Sequence, residues 1–174
     1  MKAAALVGVL LPAVALAVPE KGTIIQTDTL GMNIVSYDYN SATTKTIADR
    51  AELSEFVGVH YFFLDGLRVG LNLQFTERLE PAPANGGSYF RTFAILPQIG
   101  WHFYDPFFAA LVMTIAPYID GSSNVFTFGF QGVFGAGFSL TERVKLTAAL
   151  EIPFNFVGLK TIGLTPLLGI SIKL

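Results

Sequence analysis

The sequence predicts an all-β chain: a closed eight-stranded antiparallel up-and-down transmembrane β-barrel, preceded by a cleavable signal peptide. Three observations point there. Of the 174 residues 52% are hydrophobic and only 14% charged, whereas a water-soluble surface carries roughly 25–35% charged residues. Apolar and polar residues alternate with a period of two over long stretches, which is the strand period. No apolar run in the body of the chain is long enough to cross a bilayer as a helix. The best candidate, Pro106 to Ile119, falls short of the roughly 20 residues a helix needs and is bracketed by Pro106 and Pro117. It is long enough for a tilted transmembrane strand.

The charge balance and the cysteine count exclude several classes. Eleven Lys and Arg against 13 Asp and Glu give a net charge of −2, which is not the balance of a basic nucleic-acid binder. Without cysteine the chain has no disulfide, thiolate metal site, cysteine nucleophile or lipid-modified N-terminal cysteine.

Residues 1–17 have the form of a signal peptide. Lys2 supplies a positive start, Ala3 to Val14 a short apolar run, and Ala15-Leu16-Ala17 a small-x-small cleavage site. Cleavage after Ala17 leaves residues 18–174 as the barrel domain.

The strands follow in order. The first is placed near Thr29 to Tyr39 and the second near Glu52 to Phe63. In the third, Leu67, Val69, Leu71, Leu73 and Phe75 alternate with Arg68, Gly70, Asn72, Gln74 and Thr76. In the fourth, Phe93, Ile95, Pro97, Ile99, Trp101 and Phe103 alternate with Thr92, Ala94, Leu96, Gln98, Gly100 and His102. The fifth, Phe107 to Tyr118, is apolar on both faces, so the pattern leaves its orientation open. The sixth sets Phe126, Phe128, Phe130, Phe134 and Phe138 against Thr127, Gly129, Gln131, Gly135 and Gly137. The seventh sets Val144, Leu146, Leu150, Ile152 and Phe154 against Lys145, Thr147, Glu151 and Asn155. The eighth sets Ile162, Leu164, Leu168, Ile170 and Ile172 against Thr161, Thr165, Ser171 and Lys173. Successive side chains on a strand point to opposite faces, so each strand has an apolar and a small or polar face. Pro97 and Pro166 fall inside strands, where each removes a ladder donor and marks a bulge or a shifted boundary.

Short turns at Asp65-Gly66, Asp105-Pro106 and Thr141-Glu142-Arg143 alternate with longer connections at 40–50, 80–88, 120–124 and 158–160. Three turns and four loops give eight strands with both termini on the short-turn side. Tyr61, Phe63, Trp101, Phe103, Tyr104, Phe107 and Phe138 gather beside the turns. Tyr37, Tyr39, Phe75, Tyr89, Phe90, Tyr118, Phe126, Phe154 and Phe156 gather beside the loops. Two aromatic girdles at the lipid–water boundaries have this distribution. A soluble lipocalin-like barrel would turn the Phe-rich face inward. Its outer face between Val125 and Ser139 would then carry no charge.

The stretches from Phe56 to Phe63 into Leu67 to Gly70, and from Leu96 to Tyr104, carry a resemblance. The chain resembles the small outer-membrane β-barrel family, the eight-stranded OmpA/OmpX-like group of Gram-negative bacteria, over essentially all of residues 18–174. The resemblance implies an outer-membrane location with periplasmic termini and contact with outer-membrane lipid and lipopolysaccharide. It also implies delivery by the barrel-assembly machinery. The last strand is similar to the signal that machinery reads, with Ile170, Ile172 and Leu174 alternating, but ends in Leu rather than Phe or Trp.

An eight-stranded barrel is narrow enough to be filled by side chains. The expected lumen network is Glu52, His60, Arg68, Asn72, Gln74, Arg78, Gln98, His102, Gln131, Lys145, Glu151 and Lys173. No catalytic, cofactor or metal set is expected. His60 and His102 fall on the second and fourth strands without an acid alternating close by. Ser54 and His60 are about 20 Å apart along their strand at roughly 3.4 Å per residue. The expected function is a non-enzymatic, structural or surface-interaction role in the envelope. A narrow passive pore for small or hydrophobic solutes is the alternative, with a lipid-modifying enzyme and a soluble lipocalin-like binder behind it.

Overall fold

The computed structural model describes residues 18–33, 35–38, 45–46, 52–78, 91–117, 126–157 and 161–174. Its strands are β1 (Ile24–Asn33), β2 (Val35–Asp38), β3 (Lys45–Thr46), β4 (Glu52–Leu64), β5 (Leu67–Arg78), β6 (Arg91–Tyr104), β7 (Phe107–Pro117), β8 (Phe126–Ser139), β9 (Val144–Val157) and β10 (Thr161–Lys173). β1 pairs with β4 on one side and with β10 on the other, so the antiparallel order β1-β4-β5-β6-β7-β8-β9-β10 closes on itself as eight strands. β2 prolongs β1 along β10, pairing Val35 with Leu164 and Asp38 with Thr161.

Two sequence expectations are corrected. The first strand begins at Ile24, five residues before its expected start. Its outer face carries Gln26 and Asp28, which break the apolar alternation that reveals a lipid-facing strand. The connection expected at 40–50 contains β3, whose Thr46 and Lys45 pair with Tyr37 and Asp38. The expected signal peptide, residues 1–17, and the other three expected long connections lie outside the described residues.

Closure explains the sequence pattern. A barrel has no unpaired edge, so every backbone polar group can be satisfied without water. One face of each strand then meets the narrow lumen and the other faces outward. Phe56, Phe62, Leu96, Phe108 and Val112 are buried inside, while Trp101, Leu111, Phe134 and Leu168 are exposed outside. β7, ambiguous in sequence, turns Phe108, Ala110, Val112, Thr114 and Ala116 inward.

The two interior prolines flagged from sequence, Pro97 and Pro166, sit where a ladder is interrupted. Pro97 pairs with Leu71 on β5, but the pairs toward β7 lapse between Ile95–Ile115 and Gln98–Val112. Pro166 pairs with Leu150 on β9 and lies opposite the junction of β1 and β2, where the register changes. In both cases the missing donor faces a gap in the ladder. At the short-turn end the turn Asp65-Gly66 uses a left-handed φ of 72° at Gly66, which only glycine adopts without strain.

Candidate functional site: the barrel lumen

The lumen wall is built from alternate residues, and the glycines among them decide where polar side chains lie. Gly58 pairs with Asn72, Gly70 with His60, Gly100 with Arg68, Gly129 with Asn155 and Gly169 with Thr29. In each pair the polar side chain lies over the glycine, in the space a Cβ would fill. A Cβ on Gly100, for example, would stand 2.8 Å from Arg68 Nε. Long polar groups thus fit within a narrow tube by folding flat against it.

At the short-turn end these groups form a layered cluster. His60, 1% exposed, bonds through Nε2 to Thr27 Oγ1 at 3.0 Å. His102 stacks on Phe108 at 5.3 Å between ring centroids and meets the edge of Phe62 at 5.2 Å. The Arg68 guanidinium lies over the same Phe108 ring at 5.2 Å. Lys145 pairs with Asp105 at 3.6 Å. Further along, Ser54 Oγ and Thr76 Oγ1 are bonded at 2.7 Å and share the Gln74 amide, which donates to both. Thr147 and Ser171 are bonded at 2.9 Å.

A second zone is apolar. Phe56, Ala94, Leu96, Ala110, Val112 and Ala116 pack together inside, joined by Val133 and Leu167. The expectation of a polar lumen therefore describes only part of it. The signal for the rest was present in the two-sided apolar pattern of β7.

What remains open is a cavity of about 80 Å³ lined by residues of both zones, among them His60, Arg68, His102, Gln131 and Glu151. It has room for a few waters beside groups that lack a protein partner, such as His60 Nδ1, Arg68 Nε, Asn72 Oδ1 and His102 Nε2. Beyond it, toward the short turns, a vestibule of about 390 Å³ is lined by Arg143, Lys145 and Lys173. Pro19 lines both spaces. It is held there because Gly66 N–H donates to Pro19 O at 2.9 Å and Lys21 N–H to Asp65 Oδ1 at 2.8 Å. Residues 18–23 therefore form a strap across the short-turn mouth.

The twelve expected lumen residues divide by position. His60, Arg68, Gln98, Gln131 and Glu151 are buried, and Asn72, Gln74, His102 and Lys145 are half-buried on the same wall. Glu52 is half-buried at the loop end, opposite Arg78 in register, and the Arg78 side chain lies outside the described residues. Lys173 is exposed at the vestibule. Thr27, Phe62, Asp105, Phe108 and Ser171 join this cluster and were not among the expected lumen residues. Thr27 lies opposite Gly58 and Arg68 opposite Gly100, pairings that need the register of both strands. Chemically, Ser54 bonds to Thr76 and Gln74 while His60 bonds to Thr27, so the two are not joined as nucleophile and base. Among the described residues no group of three or more His, Cys, Asp or Glu is placed to hold a metal ion.

Closed eight-strand order, short turns at one end, an apolar exterior and an inward polar network define the fold of the small outer-membrane β-barrels. Solved structures agree. The neisserial surface protein A aligns with a TM-score of 0.59 at 17% identity, covering 88% of this chain and 98% of that one. The attachment invasion locus protein of Yersinia pestis gives 0.54 at 11% identity, covering 88% and 99%. The outer membrane protein OprG of Pseudomonas aeruginosa gives 0.54 at 11% identity, covering 89% and 97%. No protein-family model and no curated protein matches the sequence.

Proposed function

We propose that the chain is a non-enzymatic integral barrel of a Gram-negative outer membrane, with its termini in the periplasm. Its own side chains fill its lumen, and it serves the envelope structurally or through its surface. The carrying observation is the inversion of polarity. Leu71, Trp101, Leu111, Phe134 and Leu168 are 48–58% exposed, while Arg68, Gln98, Gln131 and Glu151 are at most 9% exposed. Such an apolar belt cannot face water without driving association, but it matches hydrocarbon. The fold shared with outer-membrane proteins supports the location, and the packed lumen with its strapped mouth supports a closed interior.

The test is fractionation of cells expressing the full chain, with SDS gels of unboiled and boiled samples. We expect outer-membrane recovery, loss of residues 1–17 and a heat-dependent shift in migration. Recovery in the soluble periplasm without a shift would overturn the membrane reading. In planar bilayers we expect no stepwise conductance; discrete steps would replace the filled lumen by a narrow pore. Lipid A should have the same mass spectrum with and without the protein.

A further inference from the structure

Arg68 carries a buried charge without a counter-charge. Its residue is 7% exposed, inside the lumen. The guanidinium face lies over Phe108, but a ring face does not engage the in-plane N–H donors, and Nε–H has no hydrogen-bond partner. Among the described residues no carboxylate forms an ion pair with it, and Asp105 pairs with Lys145 instead. Glu151 lines the same cavity but stands on the opposite wall. The register runs from Arg68 through Gly100, Ala110 and Val133 to Glu151, half of the eight-strand ring. At a spacing of about 4.8 Å and a tilt near 40°, that row climbs about 12 Å along the barrel axis. Arg68 follows the first residue of β5, whereas Glu151 lies well inside β9, and its partner Val133 packs on the apolar zone. A charge taken out of water without a partner is costly, so Arg68 calls for an anion at its own level.

Other unpartnered nitrogens gather around it. His60 pairs with Gly70, the next residue on the same face of β5, and its Nδ1 has no partner. His102 follows Gly100, the partner of Arg68, on the same face of β6, and its Nε2 has none either. These three side chains line the cavity of about 80 Å³, which is enough for one small ion and its waters. We infer that this end of the lumen is a binding site for a small monovalent anion of chloride size. Arg68 supplies the charge and Nε–H. With the Thr27 hydroxyl donating to His60 Nε2, His60 Nδ1–H points at the anion, and the Nε2–H tautomer of His102 completes the donor set. Asn72 Oδ1 is an unpartnered acceptor in the same lining, and turning its planar amide over presents NH2 instead. The vestibule leads to the site. Arg143, Lys145 and Lys173 line it with one acid, Glu142, and Lys145 and Ser171 line both spaces. The apolar zone beyond blocks onward passage, so the anion binds without being conducted.

For the test, the full chain is folded into phosphatidylcholine vesicles in sodium gluconate, whose anion is too large for the cavity. Chloride then replaces gluconate at constant ionic strength. Urea unfolding gives the stability, and the chlorine NMR linewidth reports binding directly. We expect the folded-to-unfolded ratio to rise about tenfold or more by about 0.1 M chloride and to follow a saturating curve. A matching saturable line broadening should disappear on unfolding. Arg68→Lys should keep the response. Arg68→Met should lose it, and in gluconate it should unfold no more readily than the unsubstituted chain, because an unpaired buried charge is gone. Glu151→Gln should still respond. The absence of a chloride response in the unsubstituted chain would overturn the inference, as would an equal loss of stability in Arg68→Met at every chloride concentration. A response that appears only in Glu151→Gln would also overturn it, by making Glu151 the counter-charge. The inference rests on the closed-lumen reading. Gel shift and bilayer recordings test that reading separately, so a missing response in a shifted, non-conducting barrel counts against the site alone.

Discussion

Gly70 has no side chain so that His60 can lie flat over it, and this makes a small change expensive. In Gly70→Ala the new Cβ meets the His60 ring, which must leave its bond to Thr27 or push the wall outward. Overpacking of this kind costs about 1–3 kcal/mol. Gly132 is the control, because it faces outward and a Cβ there meets nothing within 4 Å. Gly132→Ala should therefore be neutral or stabilising by up to about 1 kcal/mol, since it restricts the unfolded chain. Urea unfolding of the two variants in lipid vesicles checks the contrast, and similar losses at both positions would refute the wall-recess account. The candidate site was legible at this scale only in part. Alternation placed His60, Arg68 and Glu151 inside, because facing is a local property of a strand. The cross-strand partners were not legible, because whether Arg68 lies over Gly100 or elsewhere depends on a register set by both strands.

Each strand states its facing through a one-residue alternation, so neighbouring positions should respond oppositely to the same substitution. Leu71 is exposed on the outer face of β5, and Asn72 beside it faces the lumen. Leu71→Arg should destabilise the barrel by about 2–4 kcal/mol if the position is near mid-bilayer. Asn72→Asp keeps its polar side chain within the lumen and should cost less. The measurement is the unfolding free energy of both variants in the same vesicles, and an equal loss would mean that the facing of β5 is misassigned. The elements most legible in the sequence, β5, β6, β8, β9 and β10, are those with one apolar and one polar face. β7 hid its orientation because its inner wall is part of the apolar zone around Leu96 and Val112. β1 hid its start because polar Gln26 and Asp28 occupy outward positions that are apolar on the other strands. Pro97 and Pro166 looked like obstacles in a one-dimensional reading. They are tolerated because each faces an interruption in a neighbouring ladder.

The whole molecule closes where its two ends meet. β1 and β10 run side by side over seven paired positions, and Leu174 N–H donates to Ile24 O at 3.0 Å. The described wall is therefore a ring of neighbours in which the first and last strands are joined like any other pair. In such a ring the order of the gene is a convention rather than a structural requirement. A circular permutant with a short Gly/Ser linker from Leu174 to Val18, opened in the exposed turn at Glu142 and carrying residues 1–17 ahead of its new N-terminus for expression in cells, should form the same wall in vesicles and keep its gel shift. Its last strand would end in Ser139 and Leu140, so Ile170, Ile172 and Leu174 would no longer form a terminus. If the permutant folds from urea into vesicles yet fails to reach the outer membrane in cells, the final residues act as an address rather than as a brace.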